Sequence, residues 1–559
     1  MKKHPVLMMI FLLLSGLICW CGCGPETELE VDDFKISDQL LSSAVIGQEY
    51  KKSIKATGGL EPYINWEILE GALPAGIQLA ESSGVLYGTP AGPAGFFPIL
   101  VKAEDSDRDP QQDIAALAVH VQDQGGQGPL VDRMQAFDTA YWDSHAPSGL
   151  GLSVLDGEQD EPYTDYDRAG FVTGFYLATA AYRYESFSPD GQEEQDDDLE
   201  EAGQALSDTL AAVHDLLQVT GGSGLLASGF ERDSIQLLCC DDLEDPDCDE
   251  QHLCGGGVPE GHAGEGDYSG YHWIGDAGRD TYTAVIFGLT LAYDFADDTQ
   301  AKNIIENDMA AMLDRIWDDG LEIIDVDGEP TTLGNVSGDT PDRNSNRALA
   351  ALAWLKAASH VTGESRFDDR YQELLGDRDY RAIVTGPTDI YPGYDTDFQD
   401  ALLSSLNLLL LLRLEQDEEL YQVYYYTFLD SLWTSEPGYR RGDADKNALL
   451  NMMVMAGLRF WPDRPLYEAW SQMGRFPDPP LKNRAVDLSS DPNVEKDPER
   501  EGWAADALWI DQRAPSSFGW ADNPYLLAGG ADDGRIFPGV DFMLPYWLAR
   551  YHGFILPQW

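Results

Sequence analysis

Carboxylates, arginines and aromatic residues crowd the stretches that precede apolar helical runs in this chain of 559 residues. Asp167 and Arg168 stand before one run, Arg279, Asp280 and Tyr282 open another, and Tyr394 and Asp397 lead into a third. His272 and Trp273 lie in the segment DYSGYHWIGDAGRDTYTAVIF (267–287), with Arg343 and Trp520 in two further loops. Such residue types suit sugar chemistry. One carboxylic acid protonates the leaving oxygen, another carboxylate activates water or attacks carbon, and aromatic faces stack on the ring. Asp167, Asp280 and Asp397 are the expected catalytic carboxylates. Arg168, His272, Trp273, Arg279, Tyr282, Arg343, Tyr394 and Trp520 are the expected substrate contacts. A plain role competes at each position: an aspartate at a helix start caps free N–H groups, and a buried aromatic simply packs.

The elements that must position these residues are helices. From Leu130 to Trp559 the apolar period is near 3.6, which predicts helices over 131–143, 169–185, 199–218, 280–296, 298–317, 345–361, 365–375, 397–413, 416–433, 444–459, 464–474 and 540–552. Five sequential pairs have mostly short internal links and longer links between pairs, rich in Asp, Tyr, Gly and Arg. The last helix has no later partner and would close against the first. Six hairpins joined end to end make a ring, in which the first helix of each pair points its N-terminus to the same end. The long loops, Asp165, Asn523, Tyr525 and Asp541 among their residues, would then converge on one mouth.

The segment 33–123 reads differently, as short period-two runs such as INWEIL, GVLYGT, FFPILVKAE and ALAVHVQ between Gly/Pro turns. The stretch DQGGQGP, with 124–129 as its body, is a flexible linker. Ahead of the strands, Lys2 and Lys3 precede an apolar run from Val6 to Leu14, too short to cross a bilayer and of the length of an export signal. Cys239, Cys240, Cys248 and Cys254 fall in one acidic loop and predict two disulfides, with a zinc site as the alternative.

Net charge of −62 excludes nucleic acid and anionic membrane surfaces as partners, and 43% hydrophobic content with 14 Trp and 26 Tyr is that of a folded chain. GEGDYSG and GGADDGR lack the spacing of a phosphate loop, no HExxH is present, and Ser234, Ser269 and Ser517 have no nucleophile-elbow context.

Three resemblances add to this. The cluster Cys19, Cys21, Cys23, Gly24 resembles the end of a bacterial lipoprotein signal peptide over 1–23, with Cys23 the residue to be lipidated, although Trp20 stands where that family carries Leu. The residues ATGGLEPYINW and GALPAGIQLAESSGVLYGTPAGPAGFFPILVKAEDSD resemble the immunoglobulin-like module of bacterial surface proteins, related to the cadherin-like sandwich. Some such modules bind calcium, for which Asp105 and Asp107 would supply oxygens. The segments VTGGSGLLASGFER, WIGDAGRDTYTAVIFGLTLAY, LEIIDVDGEPTTLGN and FPGVDFMLPYWLARYHGFI look like the six-hairpin glycosidase superfamily.

The expectation is a multidomain chain: an all-β immunoglobulin-like sandwich at 33–123, then an all-α (α/α)6 toroid at 130–559 carrying the Cys-rich loop at 239–254. The toroid resemblance implies a carbohydrate partner and hydrolysis of glycosidic bonds with no cofactor required. A non-catalytic surface or adhesion protein is the alternative. A polysaccharide lyase is a third, with Tyr282 or His272 as base beside Arg279. The expected location is the bacterial cell envelope, at the outer membrane or cell surface, with the membrane touched only through a lipid anchor.

Overall fold

The computed structural model describes residues 33–37, 41–123, 129–156, 163–187, 196–232, 262–264, 266–341, 343–385, 398–433, 446–459, 462–557 and 559. Cys23, Tyr394, Asp397, the linker residues 124–128 and the cysteines of the 239–254 loop lie outside them.

Nine strands come first: β1 (Lys35–Ile36), β2 (Ala44–Val45), β3 (Tyr50–Ser53), β4 (Ala56–Thr57), β5 (Ile64–Gly71), β6 (Ile77–Ala80), β7 (Val85–Gly88), β8 (Gly95–Glu104) and β9 (Gln112–Gln122). A four-stranded sheet in the order β2-β9-β8-β5 and a three-stranded sheet in the order β3-β7-β6 enclose a core containing Trp66, Leu86, Ile99, Val101, Leu117 and Val119. Strands β8 and β9 pair antiparallel from Gly95 opposite Val121 to Glu104 opposite Gln112. The two-residue period of a strand sends Ile99 and Val101 into that core and Leu100 to the other face. Leu100, Ala116 and Ala118 on this second face belong to the apolar core of the helical region.

Helices follow: α1 (Pro129–Ala140), α2 (Ala169–Phe187), α3 (Asp196–Gln218), α4 (Arg279–Phe295), α5 (Thr299–Asp318), α6 (Ser345–Thr362) and α7 (Ser365–Gly376). After them come α8 (Tyr380–Val384), α9 (Phe398–Leu414), α10 (Glu418–Tyr426), α11 (Ala448–Leu458), α12 (Asp463–Arg475) and α13 (Val540–Tyr551). All twelve expected helices form, and α8 is the addition. The run expected over 416–433 is α10 followed by a wider π-type turn at Thr427–Trp433.

Six of the helices, α2, α4, α6, α9, α11 and α13, are apolar on nearly every side and buried along most of their length. Each packs against the next in that order, and α13 packs back onto α2. The more amphipathic α3, α7, α10 and α12 lie against α2, α6, α9 and α11 respectively, while α5 packs on α4 and α6. An all-round apolar helix needs cover on all sides, and an outer helix supplies it with one apolar stripe.

The sheet docks on α12. Phe96 meets Trp470 edge to face with ring centroids 6.2 Å apart and lies 5.0 Å from the Trp559 ring. The Ala116 amide donates to Asp463 Oδ1 at 2.9 Å, and Arg464 pairs with Glu70. The C-terminal residue is held between the two regions, since its carbonyl accepts from the Leu130 amide at 2.9 Å.

The closest helix pair is α2 with α4. A Cβ on Gly174 would stand 2.6 Å from the Val285 nitrogen, and one on Gly288 would stand 2.6 Å from the Gly174 carbonyl oxygen. Backbone is the nearest obstacle at both positions, joined at Gly288 by the Leu177 side chain at 3.0 Å, so neither can accept a side chain without separating the helices. Gly174→Ala is expected to destabilise the fold by roughly 1–3 kcal/mol. Gly376→Ala, where nothing lies within 4 Å, should leave denaturant midpoints nearly unchanged. Equal midpoints for the two variants would contradict the close approach.

Candidate active-site cavity

The segment ahead of α2 is built by a turn and a small sheet. Strand residues 163–164 pair with 153–155, which pair with 535–537, which pair with 481–482. Asp165 then takes a left-handed conformation, φ 62°, tolerated by aspartate, and its carbonyl accepts from the Arg168 amide at 2.9 Å to close a single turn. Asp165, Asp167 and Arg168 emerge from that turn side by side.

Facing them is the loop 513–531. Phe518 anchors it, stacking on Phe175 of α2 with centroids 4.5 Å apart and meeting Phe171 edge to face at 5.6 Å. Asp541, in the first turn of α13, accepts from the Gly519 amide through Oδ2 at 3.2 Å. Its backbone carbonyl accepts from the Trp520 indole N–H, and the Trp520 carbonyl accepts from Asn447 Nδ2 at 2.9 Å. Arg513 donates to the carbonyls of Leu508, at 3.0 Å from Nε, and Lys446, at 2.9 Å from Nη2. These contacts fix the loop from Arg513 to Trp520, and Asp522 follows into the space that Asp167 also lines.

That space is a cavity of about 660 Å³. Its walls include Asp165, Asp167 and Arg168 from the turn, Arg513, Ser516 and Asp522 from the loop, and Arg535 from the sheet. Asp167 and Asp522 are both exposed, and both line this cavity. Enclosure by the walls pushes both carboxyls above the ordinary aspartate range. The neighbouring charges differ. At Asp167 the next contribution is the Asp165 carboxylate, which raises it further, against the lowering effect of Arg168. At Asp522 every other contribution favours the anion: the Ser516 hydroxyl donates to Oδ2 at 2.5 Å, and Arg168 and Arg513 stand near. A neighbouring carboxylate thus favours the proton at Asp167, while a hydroxyl and two arginines favour the anion at Asp522. Two carboxyls with that division of labour can supply a general acid and a base or nucleophile.

Of the residues expected from sequence, Asp167 and Arg168 line this cavity. Asp280 does not. Its Oδ1 accepts from the Thr281 amide at 2.9 Å, its Oδ2 accepts from Gln399 Nε2 at 2.8 Å, and Arg168 Nη1 lies 3.7 Å away. Asp280 therefore stands in the first turn of α4 within ion-pair distance of Arg168. Tyr282 is fully buried, its phenol oxygen accepting from the Leu226 amide at 2.9 Å, and Trp520 is buried under the loop. Neither ring has a face for a sugar. Trp273 is likewise buried in the strand 271–274, with its ring 4.5 Å from that of His262. His272 pairs with Glu231 across the same small sheet. Arg279 donates to the Asn335 carbonyl at 3.0 Å and pairs with Asp400 at 3.0 Å, and Arg343 pairs with Asp379 on the surface at 3.0 Å. Tyr282 thus lies in the core, and Arg279 is tied to Asp400.

Asp105, the residue after β8, is completely buried: Oδ1 accepts from the amides of Asp107, at 3.3 Å, and Gln111, at 2.8 Å, while Oδ2 accepts from that of Leu60 at 2.9 Å. Burial pushes its pKa up, but these amide donors outweigh it and hold the carboxyl below its usual range. These bonds lock a turn. Asp107 Oδ1 accepts from the Arg108 amide.

Sequence reasoning missed Asp522, Arg513 and Arg535. It took Trp520, Asn523 and Tyr525 from the same loop and passed over the aspartate between them.

No family model matches the chain, and no curated protein matches it. Solved structures do align. A family 76 glycoside hydrolase from a bovine Bacteroides thetaiotaomicron strain aligns at 10% identity over 84% of this chain and 87% of its own, with a TM-score of 0.40. A metagenome-derived glycoside hydrolase family 9 endoglucanase aligns at 13% identity over 94% and 99%, with a TM-score of 0.38. A polysaccharide lyase aligns at 10% identity over 93% of this chain and 64% of its own, with a TM-score of 0.29.

Beneath the cavity, burial pushes Asp541 up to about 7, with the Asp522 charge adding to the effect and the Gly519 amide opposing it. Between an unfolded value near ~4 and the folded one, the folded chain keeps a proton that the unfolded chain releases, so stability falls as pH rises across that window. Asp541→Asn removes this titration. Its stability relative to the parent should rise by on the order of 1–4 kcal/mol from pH ~4 to ~7 and then level off, as thermal unfolding against pH would read. A difference independent of pH would show that Asp541 is not held protonated.

Proposed function

We propose that this chain hydrolyses glycosidic bonds in the cavity between Asp167 and Asp522, with Asp167 as the general acid and Asp522 as the base or nucleophile. The observation that carries the reading is the pair itself: two carboxyls open to a cavity large enough for sugar units, both pushed toward the protonated form, with surroundings that make one the acid and the other the anion. The closed order of six buried helices supports reading the helical region as an (α/α)6 toroid, and the two facing sheets support an immunoglobulin-like module before it. The short apolar run and the cysteine cluster at 19–23 support export and anchoring through Cys23 at the cell envelope.

In this mechanism the Asp167 proton passes to the leaving glycosidic oxygen as the C–O bond breaks. Asp522 removes a proton from the attacking water or attacks the sugar carbon itself. Ser516 and the two arginines keep Asp522 ionised until that moment.

Reducing-end release from a panel of polysaccharides is the test. Asp167→Asn and Asp522→Asn should each lower release by about 10²–10⁴-fold with the fold intact by circular dichroism. Asp280→Asn should lower it less, because it acts through Arg168. Unchanged release in the first two variants would remove the assignment. Activity should rise with pH as Asp522 ionises and fall as Asp167 loses its proton, both limbs lying above the ordinary aspartate range. Asp522→Asn should abolish the acid limb of whatever activity remains.

A further inference from the structure

The chain carries 98 acidic side chains against 36 lysines and arginines, yet its cavity is lined by three of each. The acids are Asp165, Asp167 and Asp522, and the cations are Arg168, Arg513 and Arg535. All three cations are arginines, the side chain whose planar fork matches a carboxylate.

Each arginine is set from outside the lining. Arg168 lies 3.7 Å from Asp280 and 4.4 Å above the Phe171 ring, and its side chain is 30% exposed. Arg535 uses Nε on Asp533 at 2.8 Å and Nη1 on Asp165 at 3.2 Å, with 35% of its side chain exposed. Arg513 is buried and tied to the carbonyls of Leu508 and Lys446, so its charge rather than its surface reaches the cavity. The Arg168 guanidinium makes no hydrogen bond among the described residues, its nearest carboxylate being Asp280 at 3.7 Å, which leaves donors for a ligand.

In a chain whose net charge is strongly negative, these arginines are the cationic donors that the cavity offers, and the side chains of Arg168 and Arg535 are both partly exposed. Charges beyond about 8 Å are screened at physiological ionic strength, so a ligand inside the cavity responds chiefly to the groups nearest it.

We infer that the substrate is an anionic glycan, with sugar carboxylates of the uronic acid class engaged by Arg168 and Arg535 beside the bond to be cleaved. This rests on the hydrolytic reading of the same cavity. It gives the arginines a purpose that a neutral glycan does not: a uronate carboxylate accepts two parallel N–H bonds from one guanidinium, whereas a hydroxymethyl group cannot.

The test compares polygalacturonate and alginate oligosaccharides with their carboxyl-reduced counterparts, which keep linkage and length and lose the charge. Binding to the full chain is read by calorimetry, and cleavage by reducing-end release. The acidic forms should bind at least roughly tenfold more tightly than the reduced forms. Arg168→Gln and Arg535→Gln should each shrink that ratio by about tenfold. The preference should also fall as salt rises. Reduced or other neutral glycans bound and cleaved as well as the acidic ones would overturn the anionic class while leaving the hydrolytic reading in place. If no glycan, acidic or neutral, binds or is cleaved, both readings fall together.

Discussion

The site depends on how closely two helices approach. Gly174 and Gly288 let α2 and α4 meet backbone to backbone, and Gly170, one turn earlier, faces Thr281 in the same way. The N-termini of the two helices are thereby brought together. Arg168, the residue before α2, can then reach Asp280 in the first turn of α4. A side chain at Gly174 would push these ends apart and withdraw the support behind Arg168. Phe518 extends the arrangement by stacking on Phe175 of the same helix, so the loop carrying Asp522 is referenced to the helix that carries Asp167. Both carboxyls take their position from α2, which makes that helix and its glycine contact the frame of the cavity.

The electrostatics follow from that frame. An exposed aspartate in so acidic a chain would be an ordinary solvated charge. Within the cavity, walls replace bulk water and the two carboxyls are driven toward neutrality; the nearest charges, Asp165 on one side and Ser516, Arg168 and Arg513 on the other, then separate their roles. Asp541 lies below as a buried acid whose Oδ1 has no partner, and its Oδ2 and carbonyl hold the floor of the Asp522 loop. The sheet region is joined to the helices through Phe96, Trp470 and Trp559, an apolar contact that a freely swinging spacer would not carry.

Much of the helical layout was legible in the sequence because a helix buried on all sides still alternates with polar loops and an amphipathic outer partner. The same all-round burial hid which way side chains point. Tyr282 and Trp520 are expected substrate contacts by sequence and are buried in the structure, because an inner helix and the floor of a loop offer no polar face against which to tell inward from outward. Asp280 was legible as a residue at a helix start, where capping and catalysis share one signature, and its partners there are Gln399 and Arg168. Asp522 carried no signal, because one more aspartate in a loop has no contrast in a chain of this acidity. Arg535 reaches Asp165 across 370 residues through the pairing of 153–155 with 535–537, a contact no local pattern announces.

The most direct measurement of the central claim is a carbon-13 NMR titration of the aspartate carboxyls, with and without an oligosaccharide. The account predicts that Asp167 and Asp522 both titrate above the ordinary aspartate range, and that the oligosaccharide shifts both signals while leaving Asp105 unmoved. Ordinary values at Asp167 and Asp522, with no response to any glycan, would contradict it.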